Sequence, residues 1–560
     1  MNVIAKKAKR FGAKVNRKVQ SRIDEVNRKQ NKKKSLKSLR ETNVRSDLML
    51  LPASGEQMLF RVTHKLNLSK IHADSRSCMQ KILEEEGMIH WEFPTKANVA
   101  STIHTLQTNQ NRLLTILKNR PEFSHWYFQY IKQDGKPAGA PRLVREINGT
   151  TKFDAVRLYE RVAFSPTSNF RSGSSQGVLL SFWTEAQLGS NESVDSDGYS
   201  ETIEQVIVAP IWNENATLLP NPVSRQEEFH NSLEKAMKTL STQVDFAIDA
   251  VYTWVDGSDN VWQAQKASAL NVLDAEEFVD EAVSDARFAD HDELKYSLRS
   301  IAQFAPWIRK IWIVSAGQTP KWLNMNNPRV EVVSHEDIWP DEVGLPNFNS
   351  HAIESNLHRI KGLADHYLYF NDDFFLTRPL DPGAFFFGNG LSKVFFSRAM
   401  VEFTEVSTLD NASSIAAKNA RTLLDSRGYQ LFSRKFFHTP SALNRKIVEQ
   451  AESEFPDAFE ITRSAQFRDT MDIAVSGSFY FNYALATGSA VPGQIKYDYI
   501  DPATESGRDR MKRMINRRDK DCIVINDGST PETDEERLRT DRFIRESLDL
   551  LLPAKSEFEL

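Results

Sequence analysis

The sequence predicts an α/β protein: a modified Rossmann-like domain with a mostly parallel sheet, preceded by an α+β module. Three observations predict it. From about residue 243, apolar strands alternate with helical segments, as in sheets covered on both faces. Four of those strands end abruptly in a small polar cluster. Before residue 240 the helix-like and strand-like segments are mixed, without that alternation. At 560 residues the chain is too long for one ordinary core, so two domains plus tails are expected.

Residues 1–50 read as a basic tail, partly disordered and at most partly helical. The first forty carry 15 Lys/Arg against 2 Asp/Glu, a local +13, which leaves −17 for the remainder of a chain of net charge −4. The charge fits a solvated tail, or a segment resting on anionic lipid, where each cation contributes about 1 kcal/mol. Nucleic acid is not expected, because no stacking motif accompanies the charge and the body repels phosphate backbones. "MNVIAKKAKRFGAKVNRK" has no hydrophobic core of a secretory signal, and no apolar run approaches a membrane span. Cys78 and Cys522 are the only cysteines, which suits a reducing compartment. A cytoplasmic protein is expected, peripheral at the inner membrane face if the tail binds lipid. The "NGT" at Asn148 and "NAT" at Asn215 are then glycosylation patterns without significance.

Residues 55–240 form the α+β module. Helical periodicity is read in "NVASTIHTLQTNQNRLLTILKN", and strands in "FSHWYFQYI", "RLYERVAF" and "QGVLLSFW". "GSNESVDSDG" at 189–198 reads as a loop. The domain expected at 243–530 opens with "FAIDAVYTWV" before Asp256-Gly257-Ser258-Asp259. It continues with "KIWIVS" before Ala316-Gly317-Gln318, "HYLYF" before Asn371-Asp372-Asp373, and "CIVI" before Asn526-Asp527-Gly528. In "DELKYSLRSIAQF", Leu294, Leu298 and Ile301 share a helical face. Residues 531–560 read as an amphipathic helix. Ligands of parallel sheets bind outside the carboxyl ends of the strands, so the four clusters point to one site.

The residues around those ends carry the chemistry. Paired carboxylates beyond a buried strand are costly unless a cation meets them. Asp372 and Asp373 therefore suit a divalent ion, with Mg²⁺ the candidate, or an arginine or lysine. Trp254 reads as core or as a platform for a base, and Gly257 permits close backbone approach. Ser350 is read as the cap of a helix carrying His351, Glu354 and His358 on one face. That spacing is neither H-E-x-x-H nor H-x-x-E-H, so it fits a surface Glu–His pair, or a Glu354 turned toward the strand-end aspartates. His438 precedes a Thr-Pro turn. Arg463, Arg468 and Asp472 precede an aromatic helix, and guanidinium groups bind phosphate oxygens bidentately. With no Walker loop, G-x-G-x-x-G or nucleophile elbow, ATP-driven transfer and serine hydrolysis have no support.

Four blocks resemble the Stealth proteins, the bacterial sugar-1-phosphate transferases of capsule and exopolysaccharide synthesis. They are similar also to the catalytic core of animal GlcNAc-1-phosphotransferase. The blocks are "IDAVYTWVDGSD" (248–259), 287–323 with 345–376, "HTPSALNRKIVEQAESEFPDAF" into "FRDTMD" (438–472), and "CIVINDG" (522–528). At His291 the chain departs from the family, which usually has Asn there. The resemblance implies transfer of a sugar 1-phosphate from a UDP-sugar to a glycan hydroxyl, with release of UMP. It implies catalytic roles for Glu354, Asp373, His438 and Arg468. By the same resemblance Trp254, Val255, Asp256 and Gly257 would help hold the nucleotide. Asp292, Asn371, Arg463 and Asn526 are further expected substrate contacts, with Mg²⁺ expected on Asp372 and Asp373. His438 is the preferred base, because imidazole titrates near neutrality, and Asp373 competes with it. The alternatives are a metal-dependent glycosyltransferase releasing UDP, and a non-catalytic scaffold of a capsule-assembly complex.

Overall fold

In the computed structural model the run Ile248–Thr253 (β1) is the middle strand of a five-stranded sheet. Its neighbours are Ile311–Ser315 (β2), Val330–Ser334 (β3) and His366–Asn371 (β4), all parallel, in the order β3-β2-β1-β4. Ser441–Asn444, antiparallel to β4, closes the edge. The structure describes residues 47–53, 55–93, 101–132, 134–147, 153–191, 201–210, 216–237, 243–272, 291–407, 410–430, 433–526 and 533–560. The basic segment 1–40 and the pair Asp527-Gly528 lie outside them.

The strands are apolar because both faces are covered. Ala250, Tyr252, Ile313, Leu368 and Phe370 face one core, while Val251, Trp312, Val314, Tyr367 and Tyr369 face another. This is period-two alternation with no solvent face. Asp249 is the exception within β1, fully buried yet charged. Its carboxylate accepts from Arg309 Nε and Nη2 (2.8 and 2.6 Å), from Trp312 Nε1 (2.9 Å) and from Ala364 N (2.9 Å). A buried carboxylate is tolerated when so satisfied.

The helix Glu293–Phe304 packs over the sheet, with Leu294, Leu298 and Ile301 in the core as expected. The "CIVI" strand does not join the parallel sheet. Cys522–Ile525 pairs antiparallel with Phe374–Leu376 and parallel with Tyr497–Ile500 in a separate three-stranded sheet. Phe374–Leu376 follows β4 after a two-residue turn, so Asp372 and Asp373 sit where the two sheets join. The C-terminal helix spans Asp534–Leu551 and stops short of the expected 560, because Pro553 cannot continue it. Beyond it the chain runs as a strap: Phe558 is buried, and Glu559 accepts from Arg299 Nε and Nη2 at 2.9 and 2.8 Å.

Contacts divide the chain into two compact units, Met1–Val62 and Thr63–Leu560. In the first, Leu48–Ala53 and Glu56–Val62 form an antiparallel hairpin. Within the second, the segment before residue 240 builds a largely antiparallel sheet on the long strand Val178–Asn191. The helices Leu68–Glu85 and Gln110–Asn119 bury Ile82, Leu83, Leu113 and Leu117 against its Val156, Leu158 and Val178. Two local expectations are corrected. Ser101–Leu106 is a strand, since its β-branched residues pair alongside Val178–Trp183, and the helix begins only at Gln110. The expected loop at 189–198 is strand through Asn191, and 192–198 lies outside the described residues.

Candidate active site

Parallel register places the strand ends side by side: Thr253 lies opposite Asn371 on one flank and Val314 on the other. Beyond β4, Asp373 Oδ2 accepts from Asn526 Nδ2 at 3.2 Å, and Asn526 Oδ1 accepts from the Tyr499 hydroxyl at 3.1 Å. Asn371 Nδ2 lies 3.5 Å from His438 Nε2, and the Phe374 ring meets the imidazole edge-on at 4.7 Å. His438 is exposed to solvent, yet the protein packed about its ring, by desolvation and with the Arg468 charge nearby, brings its pKa down to about 4. The imidazole is therefore neutral at pH 7, titrating well below the neutrality expected from sequence.

Glu354 lies beneath these ends. Burial pushes its carboxyl up, opposed by the charges of His351 and Arg468, the Ser476 N–H and the Tyr369 hydroxyl. Tyr369 OH donates to Glu354 Oε1 in a long contact of 3.4 Å and shares a 3.0 Å hydrogen bond with Thr253 Oγ1. Arg468 Nη2 donates to Ser350 Oγ at 3.0 Å. The cap of the short helix Ser350–Glu354 is Asn349, whose side chain accepts from His351 N at 3.1 Å. Ser350, the expected cap, is thus free to meet Arg468. The Asn349 amide also donates to the buried Asp472 at 2.8 Å, and His351 Nδ1 lies 3.3 Å from the same Oδ2.

The segment after β1 lines a cavity of about 440 Å³ whose walls include Trp254, Asp256, Ser258, Trp262, Gln318 and Lys321. Gln318 locks the loop reciprocally: its Oε1 accepts from Asp256 N at 2.9 Å, and its Nε2 donates to Asp256 O at 3.1 Å. Ser258 N and Oγ donate to Asp256 Oδ1 at 2.9 and 2.5 Å. Trp254 is buried in the core and still reaches the cavity wall. Val255 packs beside Trp262, Phe348 and Phe467, and Gly257 O accepts from Gln263 Nε2 at 2.9 Å.

Arg463 and Asp292, expected to contact substrate, and His358, expected on one face with His351 and Glu354, each have partners of their own. The helix ends at Glu354, so His358 falls in a separate turn and leaves the shared face, its Nε2 2.7 Å from Glu452 Oε2. Arg463 donates to the same Glu452 and, at 2.7 Å, to Asn356 Oδ1, which commits it to the fold. Asp292 pairs with Lys295 at 2.8 Å at the start of its helix, next to His291, which bridges Glu293 (2.7 Å) and Asp541 (2.9 Å). Among the described residues no group of three His, Cys, Asp or Glu could hold a metal. Tyr369, Thr253 and Tyr499 were not anticipated, and Ser350 was anticipated only as a cap. Tyr369 hides in an aromatic strand, where sequence reads only core.

Three family models match the chain. Stealth protein CR1, conserved region 1, covers residues 246–273; CR2, conserved region 2, covers 287–394; and CR3, conserved region 3, covers 437–485. The exopolysaccharide phosphotransferase SCO2592 of Streptomyces coelicolor is 36% identical over 454 residues, 80% of this chain and 47% of its own. The exopolysaccharide phosphotransferase CpsY of Mycobacterium tuberculosis is 34% identical over 413 residues, 72% of this chain and 73% of its own. The chain belongs to the Stealth family. It spans about half the length of the Streptomyces relatives it matches. Among solved structures, the bifunctional WbbM aligns with 54% of this chain and 50% of its own at 13% identity, with a TM-score of 0.30, too slight a likeness to bear on chemistry. Stealth CR2 carries Glu354, Asn371, Asp372 and Asp373, while CR3 carries His438 and Arg468. The fold thus brings two separated Stealth regions to one edge of the sheet, and Asn526 joins them from beyond the three spans. No described helix is long and apolar enough to cross a membrane.

Proposed function

We propose that the chain transfers a sugar 1-phosphate from a UDP-sugar to a hydroxyl of a growing capsular or exopolysaccharide, forming a phosphodiester and releasing UMP. The observation that carries this reading is the gathering of an imidazole (His438) against Asn371, a guanidinium (Arg468) near it and Glu354, and Asp373 at the end of the same strand. The relatives' name, exopolysaccharide phosphotransferase, supports it. The cavity at Trp254–Lys321, one residue past the Thr253–Asn371 register, has the position and polarity to take the nucleotide.

In this reading the acceptor oxygen bonds to the sugar-bearing phosphorus. The bond from that phosphorus to the oxygen bridging the two phosphates breaks, and UMP leaves with the bridging oxygen. The hydroxyl proton passes to His438 Nε2, whose contact with Asn371 is long enough to yield to a substrate, or to Asp373 as the competing base. Arg468 stabilises charge developing on the phosphoryl oxygens. Asp372 and Asp373 are the residues that would hold Mg²⁺, which takes one or two protein carboxylates and fills its shell with phosphate and water oxygens. Bound there, the ion would neutralise diphosphate charge. Peripheral contact with anionic membrane through residues 1–40 would place the enzyme beside its polymer.

The test is the leaving group. With Mg²⁺ and a glycan acceptor, a panel of UDP-sugars should yield UMP in step with a product phosphodiester visible by phosphorus NMR. Stoichiometric UDP with a phosphorus-free glycan would identify a glycosyltransferase instead.

A further inference from the structure

Resting on that reading, we propose that Ser476 and Ser478 form a subsite for sugar hydroxyls beside Glu354. The segment Val475–Phe479 is a kinked turn, with non-helical backbone at Gly477 (φ −133°, ψ −121°), and it leads into the helix Tyr480–Ala486. It packs against the helix Ser350–Glu354 and against the strands Arg434–Phe436 and Ser441–Asn444, which flank His438. It therefore lies between the two catalytic segments.

The turn meets the site on one side, since it packs on the helix that ends at Glu354. Its side chains are not committed to the fold. Ser476 is 2% exposed, and its hydroxyl has no protein partner. The Ser478 hydroxyl is buried and also lacks one, and the Asn482 side-chain oxygen one turn on is in the same condition, its amide donating to Ser478 O at 2.8 Å. Leaving a buried hydroxyl unpaired costs free energy that alanine would avoid. Serine re-aims by a single χ1 rotation and offers both a donor and acceptors. Beside a carboxylate that only accepts, this is the complement of a pyranose ring, whose hydroxyls donate and accept at adjacent carbons. The sugar is either that of the donor or the terminal sugar of the acceptor.

The test measures Ser476→Ala and Ser478→Ala by calorimetric titration with UDP, with UDP-glucose, UDP-galactose and UDP-N-acetylglucosamine, and with a capsular oligosaccharide. The expected result is unchanged UDP affinity, an unchanged or raised Tm, and a loss of roughly five- to tenfold in affinity for a sugar-bearing probe. Loss confined to UDP-hexoses assigns the donor sugar, and loss confined to the oligosaccharide assigns the acceptor. The subsite is overturned if both variants bind every probe as the wild type does, or if both melt several degrees lower, which would show the hydroxyls satisfied by the fold. The function is judged separately by the nucleotide product. UDP release would sink phosphotransfer and leave a binding loss standing, while UMP release with unchanged binding would do the reverse.

Discussion

Asn526 Nδ2 donates to Asp373 Oδ2 across 3.2 Å, tying the end of the small sheet to the turn that leaves the parallel one. Ile525 N also donates to Asp373 O at 3.2 Å, so backbone and side chain are both fixed at this junction. Asp373→Asn should abolish turnover while Tm stays within a few degrees, because the side-chain volume is kept. Asn526→Ala, which removes one hydrogen bond to a charged group, should cost about 10- to 100-fold in kcat. Wild-type turnover by a folded Asp373→Asn protein would take Asp373 out of the mechanism.

His438→Ala should lose about 10²–10⁴-fold in kcat with donor affinity largely kept, the usual scale of a general base. Because His438 is held near a pKa of about 4, kcat/KM should stay level from pH 7 down to about 5 and fall only near 4. An acid limb near 6.5 would mean that the cleft leaves the imidazole unperturbed. Collapse of donor affinity at constant kcat would make His438 a binding group.

His358 and Glu452 should govern stability and not chemistry. Burial pushes the Glu452 carboxyl up, but His358, by hydrogen bond and charge, and the hydrogen bonds of Arg359 and Arg463 outweigh it and bring the pKa down to about 2. A folded pKa below the unfolded value means that the unfolded state binds the proton first. The contribution is therefore complete above about pH 4.5 and lost as pH falls toward 2, on the order of 3 kcal/mol. Glu452→Gln should flatten that part of a Tm–pH profile, and His358→Ala should lower Tm without moving donor affinity. A donor-binding defect in a stable His358→Ala protein would contradict the assignment.

Deleting residues 1–40 should reduce binding to vesicles of anionic lipid, and added salt should do the same to the intact chain. Equal, salt-insensitive sedimentation of both forms would show that the +13 segment is not an anchor.

The sequence by itself determined the alternation of buried strands and helices, and with it the site at the carboxyl ends of β1, β2 and β4. Both follow from local pattern: a strand covered on both faces must be apolar throughout, so the polar residues that end it stand out. Asn371, Asp372 and Asp373 stood out for that reason, whereas the role given to His438 rested on the family resemblance. What only the tertiary structure decided depends on contacts between distant segments. Helical spacing grouped His358 with Glu354, but the helix stops after five residues and Glu452 takes the imidazole. Arg463 and Arg468, five residues apart, are alike in sequence, yet Glu452 and Asn356 hold the first while the second turns toward Ser350 and the cleft. Tyr369 reads as core and is core, but its hydroxyl emerges at Glu354. Asn526 reaches Asp373 because its strand pairs with Phe374–Leu376 and not with the parallel sheet. Periodicity records which face of an element is covered, and only the packed chain fixes which partner covers it.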